Sequence, residues 1–108
     1  MANAKIVNTP SQAIRQAGST HTQRTISSAA VNVLNHTLQD GTTHAIVQFN
    51  NADVRVTFDG STSPTASLGF LFVNGSTAYW TREMLRDAKA IRTGSTDVVA
   101  EIQELNFK

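Results

Sequence analysis

Apolar and polar residues alternate strictly along residues 53–58, with Val54, Val56 and Phe58 on one side and Asp53, Arg55 and Thr57 on the other. A period of two marks a strand with one dry face and one wet face. Asp59-Gly60 stops it, and a Ser/Thr/Pro loop runs to residue 67. The same alternation recurs at residues 44–49, where Ala45, Val47 and Phe49 face one way and His44, Ile46 and Gln48 the other. It returns over residues 97–105, with Val98, Ala100 and Ile102 inward and Glu101 and Gln103 outward. Residues 30–34 and 78–81 read as shorter strands. Residues 68–73, Leu-Gly-Phe-Leu-Phe-Val, are apolar on both faces, which predicts a central strand, although residues 70–73 suit the lining of a contact between copies equally well. Turn signals stand at Asp40-Gly41, Asn50-Asn51, Asn74-Gly75 and residues 93–96; Asn50-Asn51 is expected to close a hairpin into the strand at Val54.

Two segments break this rhythm. Thr9-Pro10-Ser11-Gln12 reads as a helix start, with Thr9 as cap and Pro10 in the first turn. Ala13, Ile14 and Ala17 would then share a face, and Gly18 would end the helix. Such a helix is too short to stand alone in water, so it is expected to order only when Ile6, Val7 and Ile14 rest on something. Residues 19–25 are polar and read as extended. Residues 1–28 are accordingly read as an N-terminal arm. The second exception, residues 81–88, is helix-like, and Met84, Leu85 and Ala88 are placed to cap one end of the core. The fold class that follows is all-β: a single antiparallel β-sandwich or jelly-roll-like domain over residues 29–108, with an extended arm and one short helical connection.

Composition narrows the chemistry. The 108 residues have room for one modest core. Only 16% are charged, and 31 Thr, Ser and Asn outnumber the 17 charged residues, so the polar surface is mostly hydroxyl and amide. Such surfaces pack against other proteins at little charge-desolvation cost. The net charge is +1, and the basic residues are scattered, with only Arg86, Lys89 and Arg92 approaching a cluster. No strong pull on nucleic acid or an anionic membrane is expected. Cysteine is absent, which removes disulfides and thiolate metal sites. No apolar run is long enough to span a bilayer, and Met1-Ala2-Asn3-Ala4-Lys5 lacks the apolar core of a secretory signal.

The chemistry-bearing residues do not converge in sequence. His36, His44 and Asp40 have neither helical nor turn-clip metal spacing, and His21 stands apart. Asp53, Asp59, Glu83, Asp87, Asp97, Glu101 and Glu104 form no evident acid–base pair, and Asp59 and Asp97 read as turn residues. Neither a nucleophile elbow nor a phosphate-binding glycine motif occurs. The expectation is a non-enzyme without cofactor or metal. Tyr79-Trp80 is the one aromatic doublet with polar handles; on a strand one ring goes inward and the other is left to anchor a protein or stack on a sugar.

Residues 52–61, Ala-Asp-Val-Arg-Val-Thr-Phe-Asp-Gly-Ser, followed by Pro64-Thr65 and Gly69-Phe70-Leu71, resemble small virion proteins of tailed bacteriophages. In that group a strand ends in Asp-Gly, a Pro-Thr pair follows, and a glycine starts the next strand. The later Ile91-Arg92, the turn at Gly94 and the alternating residues 97–102 are similar to its C-terminal half. The resemblance covers roughly residues 45–105. The helix-like residues 81–88 depart from it, being longer and more charged than the connection expected there. What it implies is a structural virion protein, a capsid cement or decoration protein bound to the major capsid protein on the head. The chain would be made in the bacterial host cytoplasm and would self-associate, a homotrimer suiting positions between capsomers. Ile6, Val7 and Ile14 in the arm, with Tyr79 and Trp80, are the expected interface residues. The competing expectation is a tail, head–tail connection or receptor-contact module.

Overall fold

The computed structural model describes residues 14–107. They form β1 (Ile14–Ile26), β2 (Val31–Asn32), β3 (His44–Asn50), β4 (Val54–Thr57), β5 (Phe70–Phe72), β6 (Thr77–Thr81), α1 (Arg82–Asp87), β7 (Lys89–Arg92) and β8 (Val98–Phe107). Two four-stranded sheets result, ordered β1-β8-β3-β6 and β2-β7-β4-β5. Every pairing is antiparallel. The pairs β1·β8, β2·β7, β3·β6 and β4·β5 nest inside one another. The described chain is thus one long hairpin, turned back between the neighbouring strands β4 and β5 and rolled so that successive strands along each arm fall in opposite sheets. That is a jelly roll, the more specific of the two all-β forms the sequence predicts.

Period-two patterning builds the core between the sheets. In β3 Ala45, Val47 and Phe49 are buried, in β4 Val54 and Val56, and in β8 Val98, Ala100 and Ile102. Each large aliphatic or aromatic side chain so buried contributes about 1.5–3 kcal/mol. An aromatic cluster fills the side nearest β5 and β6: Phe49, Phe58, Phe72 and Trp80 meet in tilted and edge-on contacts, the closest being Phe58–Trp80 at 5.0 Å between ring centres. Helix α1 closes one end, as expected from residues 81–88. The Thr81 hydroxyl caps it by accepting from the Met84 amide at 3.2 Å, and Leu85 and Ala88 are fully buried.

Four expectations are corrected. Residues 14–18 are not helical: they lie in β1, where residues 14–16 pair with the end of β8 before the register breaks and resumes at His21, while residues 9–13 fall outside the described residues. A local helix cap at Thr9-Pro10 is outweighed by the ladder that β8 offers to residues 14–16. The polar stretch read as arm is the rest of β1, with Ile26 fully buried, so the sandwich body takes in residues 14–26, ahead of the boundary expected at 28. Asn50-Asn51 does not close a hairpin, because β3 and β4 lie in different sheets. Asn51 adopts φ +80° and turns the chain between them. Residues 68–73 do not form a central strand. Only Phe70–Phe72 is strand, and it is an edge paired with β4 alone.

Candidate interaction surface

The edge built by β5, its flanking segments and β6 is unlike the rest of the molecule. Residues 60–81 contain no Asp, Glu, Lys or Arg over 22 positions. Among the residues whose burial is described, the five exposed large hydrophobic ones all lie within this stretch: Leu68 at 50%, Phe70 at 67%, Leu71 at 48%, Val73 at 53% and Tyr79 at 64% exposure. Tyr79 follows from strand alternation. Its neighbour Trp80 points into the core, so Tyr79 stands on the outer face of the first sheet. Leu71, flanked by Phe70 and Phe72, stands on the outer face of the second. Phe70 sits at the rim over Phe58, 5.8 Å away between ring centres. Thr57, Phe58, Asp59, Thr62 and Phe70 line a shallow cavity of about 380 Å³ there.

This edge is stiffened by its own backbone contacts. Asp59 accepts from the Ser61 amide at 3.0 Å and the Thr62 amide at 2.8 Å, and also takes the Thr62 hydroxyl. Those bonds, the Thr62 hydroxyl foremost, hold its carboxyl at about 2. Thr65 accepts from the Leu68 amide at 3.0 Å, and Arg55 reaches the Gly69 carbonyl at 3.1 Å and the Ala66 carbonyl at 3.4 Å. Gly69, at φ +123°, lies against the Val56 backbone, where a Cβ would meet it at 3.1–3.3 Å. On the far side of β5, Asp53 accepts from the Asn74 amide at 2.8 Å. The apolar strip is therefore presented in a fixed shape.

Of the five residues expected at an interface, Tyr79 is exposed and Trp80 is not. Trp80 is 1% exposed, packed on Phe49, Phe58 and Phe72, and offers no surface. Ile14 lies in β1 opposite Phe107, and Ile6 and Val7 fall outside the described residues. Leu68, Phe70, Leu71 and Val73 are legible as apolar, and for residues 70–73 the sequence leaves a buried strand and a contact between copies equally open; the exposure of all four here decides against the buried strand. Their signal is the 22-residue absence of charge, which an interface centre tolerates and an ordinary surface loop does not need.

Several ionisable groups are held in structural pairs. His21 and Gln23 hold Glu101 on the outer face of the first sheet, at 2.8 and 2.6 Å. The Gln23 and His21 bonds hold that carboxyl below its usual range. Arg92 pairs with Asp97 and Arg86 with Asp87. Glu104 is the exception in placement, since it is 1% exposed. Its Oε1 accepts from the Thr42 hydroxyl at 2.7 Å and the Gln39 amide at 3.0 Å, and its Oε2 meets His36 Nε2 at 2.8 Å. Burial pushes this carboxyl up, but the Thr42, His36 and Gln39 bonds outweigh it and hold it below the ordinary value. His36 and His44 do not converge with Asp40: His36 is on Glu104, and His44 Nδ1 is 3.1 Å from the Thr43 hydroxyl. Among the described residues no group of three or more His, Asp or Glu is arranged to hold a metal ion, and no helix is long and apolar enough to cross a membrane.

Comparison with protein families, with curated proteins and with solved structures finds no match to this chain.

Proposed function

We propose that this protein is a structural component of a phage particle, a capsid cement or decoration protein that binds the outer surface of the head and stabilises contacts between major capsid subunits. One observation carries the reading: a rigid jelly-roll body presents an uncharged edge with Leu68, Phe70, Leu71 and Val73 exposed. Fixed apolar side chains in a charge-free setting have the make-up of a protein interface. The jelly roll itself serves viral capsids, lectins and cupins, so it supports the reading only as analogy. Shell binding multiplies modest contacts. A copy that bridges two subunits gains avidity, so each contact can be small.

The test adds purified protein to expanded heads that lack it. The reading expects saturable binding in hundreds of copies per head and greater resistance of the particle to heat. Absence of binding, or a handful of copies confined to the tail or neck, overturns it. One observation favours the receptor-contact alternative. Tyr79 stands in a row across the outer face with Ile46, Gln103 and His21, aligned by strand register, and an exposed ring in line with an amide and an imidazole is suited to a sugar. A glycan array with the whole protein separates the two, because reproducible sugar binding that Tyr79→Ala abolishes belongs to the receptor reading alone.

A further inference from the structure

We infer that the β5 edge is the seat of a second copy of this chain, the two copies meeting about a two-fold axis at Leu71. This deepens the surface role proposed above by naming one partner of the apolar edge. The first argument is charge. A two-fold contact places each surface residue near its own counterpart, so any charge close to the axis faces a like charge. Residues 60–81 are free of formal charge, so this edge alone carries a long stretch that a copy of itself can approach without that cost. Arg55, opposite Leu71 in β4, is drawn back onto the Ala66 and Gly69 carbonyls. The opposite side of the sandwich is different: β1 carries Arg24, which reaches across to the Asn32 carbonyl in β2 at 3.0 Å.

The second argument is area. Leu68, Phe70, Leu71 and Val73 expose roughly 300–400 Å², within the range of patches that are functional on monomers. Two strips face to face, with the neutral segments beside them, reach the ~1,000 Å² that separates specific interfaces from adventitious contacts. The third is the edge itself. Edge strands are commonly guarded by lysine, proline or inward charge, and β5 has none of these. Its outward backbone groups are open to an antiparallel partner, and the second sheet then continues from β5 of one copy into β5 of the other. The cavity beside Phe70 offers the Phe58 and Phe70 rings to a side chain from the facing copy, its one carboxylate, Asp59, being turned onto the Ser61 and Thr62 amides and the Thr62 hydroxyl.

The chain has no cysteine, so a single introduced thiol reports the contact cleanly. Leu71→Cys lies on the axis, where antiparallel strands set opposed Cα atoms about 4.5–5.5 Å apart, within disulfide reach. The full chain with Leu71→Cys is expected to oxidise to a covalent dimer, whereas Ser95→Cys, exposed in the turn before β8, stays monomeric on a denaturing gel. Sedimentation of the unmodified chain is expected to show a dimer, weakened about 10-fold or more in Leu71→Lys, which sets two like charges on the axis. A monomer at high concentration, a trimer, or a dimer indifferent to Leu71→Lys overturns the inference. None of these measurements involves a capsid. A dimer that fails to bind heads leaves this inference standing and removes the cement reading, and a monomer that binds heads does the reverse.

Discussion

Glu104 and His36 stand 68 residues apart in sequence and 2.8 Å apart in space, a buried carboxylate on β8 meeting an imidazole in the segment between β2 and β3. Thr42 and the Gln39 amide complete the arrangement from the same segment. Arg82 fixes that segment from outside, donating to the Gln39 and Thr42 carbonyls at 3.1 and 3.0 Å. A connection of eleven residues without regular structure is in this way latched onto the end of the first sheet.

The latch predicts an asymmetric mutational response. Glu104→Ala leaves the Thr42 hydroxyl and Gln39 amide without their acceptor and opens a space in the packing, at a cost of about 3–5 kcal/mol. Glu104→Gln keeps the volume and one acceptor oxygen and costs less, about 1–3 kcal/mol. Urea unfolding of the two variants measures both. A loss below about 1 kcal/mol for Glu104→Ala shows that the segment does not depend on this carboxylate.

The same group sets an acid limit. Its folded carboxyl is held below the ordinary 4.5, so the stability it contributes is fully present above that value and is lost as pH falls through the depressed one. Asp59, held at about 2 against an ordinary 3.8, adds to the same acid response as pH falls through that interval, and it does so equally in the unmodified chain and in Glu104→Gln. Unfolding free energy measured from pH 7 to pH 2 should therefore fall once pH drops below 4.5. Glu104→Gln should start lower and fall less over that interval. Parallel curves for the two proteins would remove Glu104 from the acid response.

The burial of Glu104 is legible in the sequence. Val98, Ala100 and Ile102 face inward, and the period of two carries position 104 to the same side. What no local pattern contained was the set of donors, since His36, Gln39 and Thr42 reach it only through sheet pairing. The misassignment of residues 68–73 has a similar cause. An apolar run on both faces describes a buried central strand and an edge offered to a partner equally well, and only the pairing order tells them apart. The strand faces of β3, β4 and β8 and the helix within residues 81–88 depend on neighbours in sequence, and there the expectation and the structure agree. Residues 14–26 depended on β8, more than seventy residues away, and a local capping signal was misleading there.

Gly69 offers a separate test of how β5 is held. At φ +123° with the Val56 backbone 3.1 Å from the site of a Cβ, Gly69→Ala meets both strain and collision against atoms that cannot swing aside. The expected loss is about 2 kcal/mol or more. Because β5 is an edge strand, the damage should be local, with faster amide exchange at residues 70–72 and little change in β3 and β8. Uniform exchange across the molecule, or an unchanged midpoint, would contradict the close approach.

Tyr79 and Trp80 are adjacent, both aromatic, and differ in everything that burial decides. Trp80 fills the aromatic cluster between Phe49, Phe58 and Phe72, so Trp80→Ala removes a large ring from a packed interior and costs about 3–5 kcal/mol. Tyr79 is 64% exposed, and Tyr79→Ser changes stability by no more than about 0.5 kcal/mol. The two variants share a strand and a register, so β-propensity and edge position are nearly matched. Chemical denaturation of the pair, with tryptophan fluorescence followed in the Tyr79→Ser protein, reads the facing of β6 directly. Equal losses, or the larger loss at Tyr79, would mean that β6 presents its other face to the core. The outer face with Tyr79, Ile46, Gln103 and His21 would then be inside the sandwich, and the surface assigned to ligand or partner contact on that sheet would not exist.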